Sequence, residues 1–180
     1  MLFLLTPCLT FSQSYKIGCE EDIYIKGTRV SSCFHERGSI AALLGKPDSL
    51  HLHRFEILGG GYTDYDSTFC YRDASFIYDS YRKCYFISQI RFSAFRKDFS
   101  ASFGGYKLSC RTSMEDVAAN FNSYERPDSM IFWVPDGFDR KSKTKYIEVF
   151  PNGGATDQPT WIFCFCRDKL FLIYEVRHDA

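Results

Sequence analysis

Two short motifs carry side chains capable of chemistry. His51-x-His53 sets two imidazoles two residues apart, and on an extended strand that spacing puts both on one face. With Asp64 and Asp66 a little further along, a two-histidine, one-carboxylate metal set can be drawn, although spacing along one strand fixes no third ligand. Phe55 and Ile57 continue the face of the histidines, so the pair reads equally as a strand end emerging into solvent. Asp64-x-Asp66 lacks the glycine and distal glutamate of a calcium loop. Cys164-x-Cys166 places two sulfurs on one strand face. A structural zinc site takes four ligands in closely spaced pairs, and no second pair follows, so these cysteines are expected in the core as small hydrophobes.

The familiar catalytic signatures are missing. The chain contains no G-x-S-x-G, no H-E-x-x-H and no phosphate-binding glycine loop. No catalytic residue and no cofactor is assigned, and His51 and His53 are the metal candidates that remain. The stretch best suited to recognition is Gly59 to Asp66. Three consecutive glycines are expected to make an adaptable loop, and Tyr62, Asp64, Tyr65 and Asp66 follow them. Tyrosines give large contact area at low entropic cost, and two carboxylates favour a basic partner. The competing reading is a solvated loop whose tyrosines fold back onto the sheet.

These residues must be held by elements that the rest of the chain supplies. Eighteen Phe, twelve Tyr and two Trp among 180 residues favour pleated, half-buried surfaces, so strands should dominate. Short strands are expected at 23–25 and 50–58, a loop over 62–67, then a meander through 68–71, 74–78 and 84–92. Trp161 to Cys166 and Leu170 to Val176 are continuous apolar runs around Arg167-Asp168-Lys169. Runs apolar on both faces belong in the middle of a sheet covered on both sides. Further strands are expected at 103–109, 130–134 and 146–150, with a charged loop over 138–144. Two short helices complete the set. One is expected over Ile40–Leu44, with Ser39 as N-cap or an earlier start near His35 weakened by Gly38, and Gly45 as its stop; the other runs through Phe121 with an apolar stripe of Met114, Val117, Ala118 and Phe121, Thr112 as N-cap and Glu115 closing a capping box.

The helices have matching surroundings. Gly104, Ser109, Cys110, Val117, Ala118, Ala119 and Phe121 fall on Gly27, Ser32, Cys33, Ile40, Ala41, Ala42 and Leu44 at one constant offset. That echo predicts two related halves, over 20–95 and 100–180, with Ile40 and Val117 both buried.

Charge and cysteine content narrow the partners. Lys+Arg and Asp+Glu balance at 22 each, so no basic excess exists to neutralise phosphates, and nucleic acid is not an expected partner. Leu2 to Phe11 is an apolar segment too short to span a bilayer, and Phe11-Ser12-Gln13 resembles a cleavage boundary. Residues 1–13 are therefore read as a signal peptide, though no Lys or Arg precedes Leu2, and 14–180 as a single domain without a transmembrane segment. Seven cysteines remain beyond that leader, an odd number that leaves at least one thiol without an intramolecular partner.

Leu43-Leu44-Gly45-Lys46-Pro47, Tyr71-Arg72-Asp73, Phe76-Ile77-Tyr78 and Ile87 to Phe92 occur in an order that resembles an uncharacterised bacterial family called domain of unknown function 7738, over about 23–121. Tyr71-Arg72-Asp73 stands where that family carries a Trp-Asp pair. The resemblance implies an α+β fold and no assigned activity.

The sequence thus describes an α+β domain, a strand-rich antiparallel sheet with two short helices, exported to the cell envelope, periplasm or medium. Its expected function is non-catalytic binding of another protein. The alternatives are a hydrolase or metal-dependent enzyme using His51, His53 and nearby carboxylates, and an immunity-type inhibitor protein.

Overall fold

The apolar runs 161–166 and 170–176 become neighbouring strands inside a large sheet. A computed structural model describes residues 16–18, 22–30, 37–56, 63–80, 83–93, 99–126, 144–150, 152 and 160–176, with backbone alone at 37, 39, 53–56, 63–66 and 126. The first elements are β1 (Ile23–Ile25), β2 (Thr28–Arg29), α1 (Arg37–Leu44), β3 (Ser49–Glu56), β4 (Thr63–Cys70), β5 (Ala74–Asp79) and β6 (Cys84–Arg91). Then follow β7 (Ala101–Phe103), β8 (Tyr106–Leu108), α2 (Met114–Asn120), β9 (Ser123–Arg126), β10 (Thr144–Val149), β11 (Thr160–Cys166) and β12 (Lys169–Val176). Among the described residues, the order strand, strand, helix and four strands therefore occurs twice.

The eight meander strands form one sheet in the order β3-β4-β5-β6-β12-β11-β10-β9, and the four hairpin strands form a second, β2-β1-β7-β8. All strand pairs are antiparallel. The two meanders join where Leu172, Ile173 and Tyr174 stand opposite Arg91, Ile90 and Gln89. The two hairpins join where Ile23, Tyr24 and Ile25 stand opposite Phe103, Ser102 and Ala101. Each sheet is thus symmetric in strand order about its central pair.

Both helices and the small sheet cover one face of the large sheet. Ile23, Ile25, Ile40, Phe103, Leu108 and Val117 share a core with Phe76, Ile90, Phe163, Phe165 and Ile173. The Phe103 ring lies edge-on to Trp161 and Phe163, with centroids 5.6 and 5.5 Å away, and Phe121 is 5.3 Å from Phe163. On the opposite face Ile162, Cys164, Leu172 and Tyr174 form a second buried cluster. β11 and β12 are thus buried on both sides, as their composition requires. Ile40 and Val117 are both buried in the common core.

Four local expectations are corrected. The stretch 63–67 is strand rather than loop, because Thr63 to Ser67 pair with β3. The strand expected over 103–109 is a hairpin, turned at Gly104-Gly105 with both glycines at positive φ, +51° and +84°; this conformation suits glycine. Helix α2 is capped by Ser113, not Thr112, and its capping box closes on Asp116, not Glu115. Thr112 Oγ1 is already engaged, accepting from the Ser109 amide at 3.0 Å. Finally, α1 begins at Arg37, so Ser39 lies within the helix and does not cap it; Cys84 is disulfide-bonded. The proposed leader, Tyr62, and the strand and most of the loop expected across 130–144 lie outside the described residues.

Candidate functional site

β3 and β4 hold His51, His53, Asp64, Tyr65 and Asp66, whereas Cys164 and Cys166 are on β11 and Gly59 to Tyr62 lie outside the described residues. Helix α1 stops at Gly45, whose φ of +87° and amide bond to the Ala41 carbonyl at 2.8 Å close the last turn. Pro47 bars continuation, and the Asp48 amide bonds the Cys70 carbonyl at 2.8 Å, starting the ladder. The register then sets Leu50 opposite Phe69, His51 opposite Thr68, Leu52 opposite Ser67, His53 opposite Asp66, Arg54 opposite Tyr65 and Phe55 opposite Asp64.

Alternation along each strand divides these residues between two faces. Phe69 belongs to the main core, so the face it shares with Leu50 is the core-side face, and Leu52 and Tyr65 hold positions on it too. Yet Leu50 is 51 % and Leu52 69 % exposed. Among the described strands β3 is the outermost at one end of the large sheet, and at these positions it lies beyond the cover that buries Phe69. The other face carries the positions of His51, His53, Asp64 and Asp66, with Thr68 and Cys70 continuing the row. His51 is exposed, and its Nε2 lies 3.1 Å from the Ser49 hydroxyl.

Of the recognition stretch expected at Tyr62, Asp64, Tyr65 and Asp66, the positions of Asp64 and Asp66 stand on one face of β4 and that of Tyr65 on the other. The exposed leucines were missed by sequence reasoning. Leu50-His51-Leu52-His53 alternates like any strand with one buried side, and the pattern carries no sign that this strand overhangs its core.

Elsewhere the chemistry is muted. Burial pushes the Cys164 thiol well above its ordinary pKa, so it stays protonated and is a poor ligand or nucleophile. Glu148 is buried and accepts a hydrogen bond from the Thr160 hydroxyl at 3.1 Å. Tyr106 is raised, first by burial and then by the Asp116 carboxylate. Among the residues whose side chains are described, no three His, Cys, Asp or Glu groups converge to hold a metal, and no described helix is long and apolar enough to cross a membrane.

No protein-family model, no curated protein and no solved structure matches the chain. The likeness to the uncharacterised bacterial family rests on the short motifs alone.

Proposed function

We propose that this chain is a secreted or envelope-associated binding module, without a catalytic role, that engages another protein through the β3–β4 hairpin. The observation that carries the reading is Leu52, a large apolar side chain 69 % exposed on an outermost strand, beside Leu50 at 51 %. The outer edge of such a strand offers amide and carbonyl groups to an added strand, and alternate side chains of the partner then meet the apolar positions. Leu50, Leu52 and the Arg54, Tyr65 and Ser67 positions share one face, so the two leucines have an aromatic and a basic position beside them. Asp64 and Asp66, at positions on the reverse face, add negative charge that favours a basic approach. The disulfide at Cys84 supports an oxidising compartment, because such bonds persist after export and are rare in the cytosol. The balanced charge of the chain argues for a protein rather than a nucleic acid.

A photo-crosslinking residue in place of Leu52, expressed in the native host, tests this. The expected result is a discrete protein adduct that disappears when Leu50→Lys is added. A probe in place of exposed Lys107 on β8 is the control. Equal adducts from both positions, or none from position 52 in folded protein, would overturn the reading.

A further inference from the structure

We propose that a second copy of this chain occupies the outer edge of β3, the two β3 strands pairing antiparallel about a two-fold axis at His51. β3 is outermost among the described strands at its end of the large sheet. Pairing about His51 sets Leu50 opposite Leu52 of the second copy, and Leu52 opposite its Leu50, so the exposed leucines of both chains meet on one face. The same register brings Asp48, exposed and immediately before β3, to the position of Arg54 in the other chain, and the reverse. At alternate positions the edge therefore reads acid, apolar, apolar, base. That order is complementary to itself when two strands run in opposite directions. Moving the axis to Leu50 or Leu52 would set a leucine opposite Asp48 or Arg54 and lose both matches.

Three further points fit. β3 lacks the devices that keep an edge from pairing: it is eight residues long, it carries no proline or lysine, and its ladder with β4 runs from Ser49 opposite Cys70 to Glu56 opposite Thr63 without a bulge. The leucines overhang the core of their own chain, and a second copy brings the same overhang, so each pair covers the other. The contact also closes, because a two-fold interface uses the same edge on both chains and stops at a dimer instead of growing a fibre. This inference rests on the docking role of the same edge, and it adds a regulation: the second copy covers β3 until another protein displaces it.

Sedimentation equilibrium of the purified full chain, with no other protein present, tests the pairing. A concentration-dependent equilibrium between monomer and dimer is expected. Leu52→Lys, checked for folding by circular dichroism, should abolish it, and Lys107→Glu on exposed β8 should leave it unchanged. Asp48→Arg and Arg54→Asp should each weaken the dimer at least about tenfold, because each sets like charges opposite one another. Combined in one chain, the two substitutions should restore it. Mixing the two single variants should give a heterodimer tighter than either homodimer, since each then supplies the charge that the other lacks. A chain that stays monomeric, a dimer indifferent to Leu52→Lys, or single charge variants that gain nothing on mixing would each overturn the proposal. The crosslinking probe at position 52 separates this outcome from the docking role. An adduct of twice the chain's own mass reports the second copy, an adduct of another mass reports a different protein, and either can fail without the other.

Discussion

The two halves of the large sheet share a strand order and differ in what they bury. In β10 to β12, Ile147, Val149, Phe163, Phe165 and Ile173 point into the main core, and Ile162, Cys164, Leu172 and Tyr174 fill a second cluster behind it. In β3, Ser49 to Leu52 are exposed on both faces. The helices differ in the same direction. α2 has a closed capping box, its Met114 amide bonds Asp168 Oδ1 in the β11–β12 turn at 3.1 Å, and the Thr112 carbonyl accepts from the Leu170 amide at 3.0 Å. α1 carries Gly38 in its first turn and no acidic residue there. The half holding β10 to β12 therefore contains a scaffold saturated with contacts, while its own outer strand β9 exposes Tyr124 at 43 %. The other presents an edge whose side chains add little to folding and are free for another use.

The comparison is open to test, beginning with the largest effect. Phe163→Ala empties a fully buried site ringed by Phe103 and Phe121 and should cost about 3–5 kcal/mol, read as a drop in urea midpoint. Leu52→Thr on β3 should change the same midpoint by less than about 0.5 kcal/mol. A large loss at position 52 would erase the distinction between the halves.

Next in size is the helix cap. Ser113→Ala removes the Oγ that accepts from the Asp116 amide at 3.1 Å and should cost about 1 kcal/mol. In α1 the effect should reverse sign. Gly38→Ala introduces a methyl group that meets nothing within 4 Å beyond its chain neighbours and its own helical turn and should stabilise by up to about 1 kcal/mol through chain entropy and helix propensity. Thermal denaturation of both variants reads the pair.

The smallest effect is a pH dependence confined to α2. The Ser113 amide donates to Asp116 Oδ2 at 2.8 Å. Hydrogen bonds from Ser113, and more weakly Lys169, hold the Asp116 carboxyl below its ordinary value against a small opposing effect of burial. A carboxyl depressed in the folded state contributes stability above its unfolded pKa, near 4, and loses it as pH falls through the folded value. Asp116→Asn should flatten the stability profile below about pH 4, by less than about 1 kcal/mol because the carboxylate is exposed. An unchanged acid limb would show that the capping box contributes nothing through charge.

Much of the fold was legible because each element carries a local signature. The runs at 161–166 and 170–176 announced a central hairpin by being apolar on both faces, and the helix ending before Phe121 announced itself by its stripe and its capping residues. The errors have physical causes too. Thr63-Asp64-Tyr65-Asp66 has poor strand propensity because of its two aspartates, and only pairing with β3 holds it extended. Thr112 and Ser113 are both good caps; the choice fell to Ser113 because the Thr112 hydroxyl is occupied by the Ser109 amide. Gly104-Gly105 was a readable hairpin signal that the short apolar strands around it obscured.

The sequence by itself determined the strand-rich composition, the two helices, the meanders and the echo between segments, since all of these follow from propensity and periodicity within a few residues. It also put two histidines on one strand face. Only the tertiary structure decided that β6 meets β12 and β1 meets β7, since strands far apart in the chain choose partners by shared burial and not by local pattern. The same long-range packing made β3 the outermost strand. It left Leu50 and Leu52 beyond the core, and the pairing of β3 with β4 brought Asp66 opposite His53. No property of those residues alone could show this, because exposure and cross-strand register depend on where the neighbouring strands end.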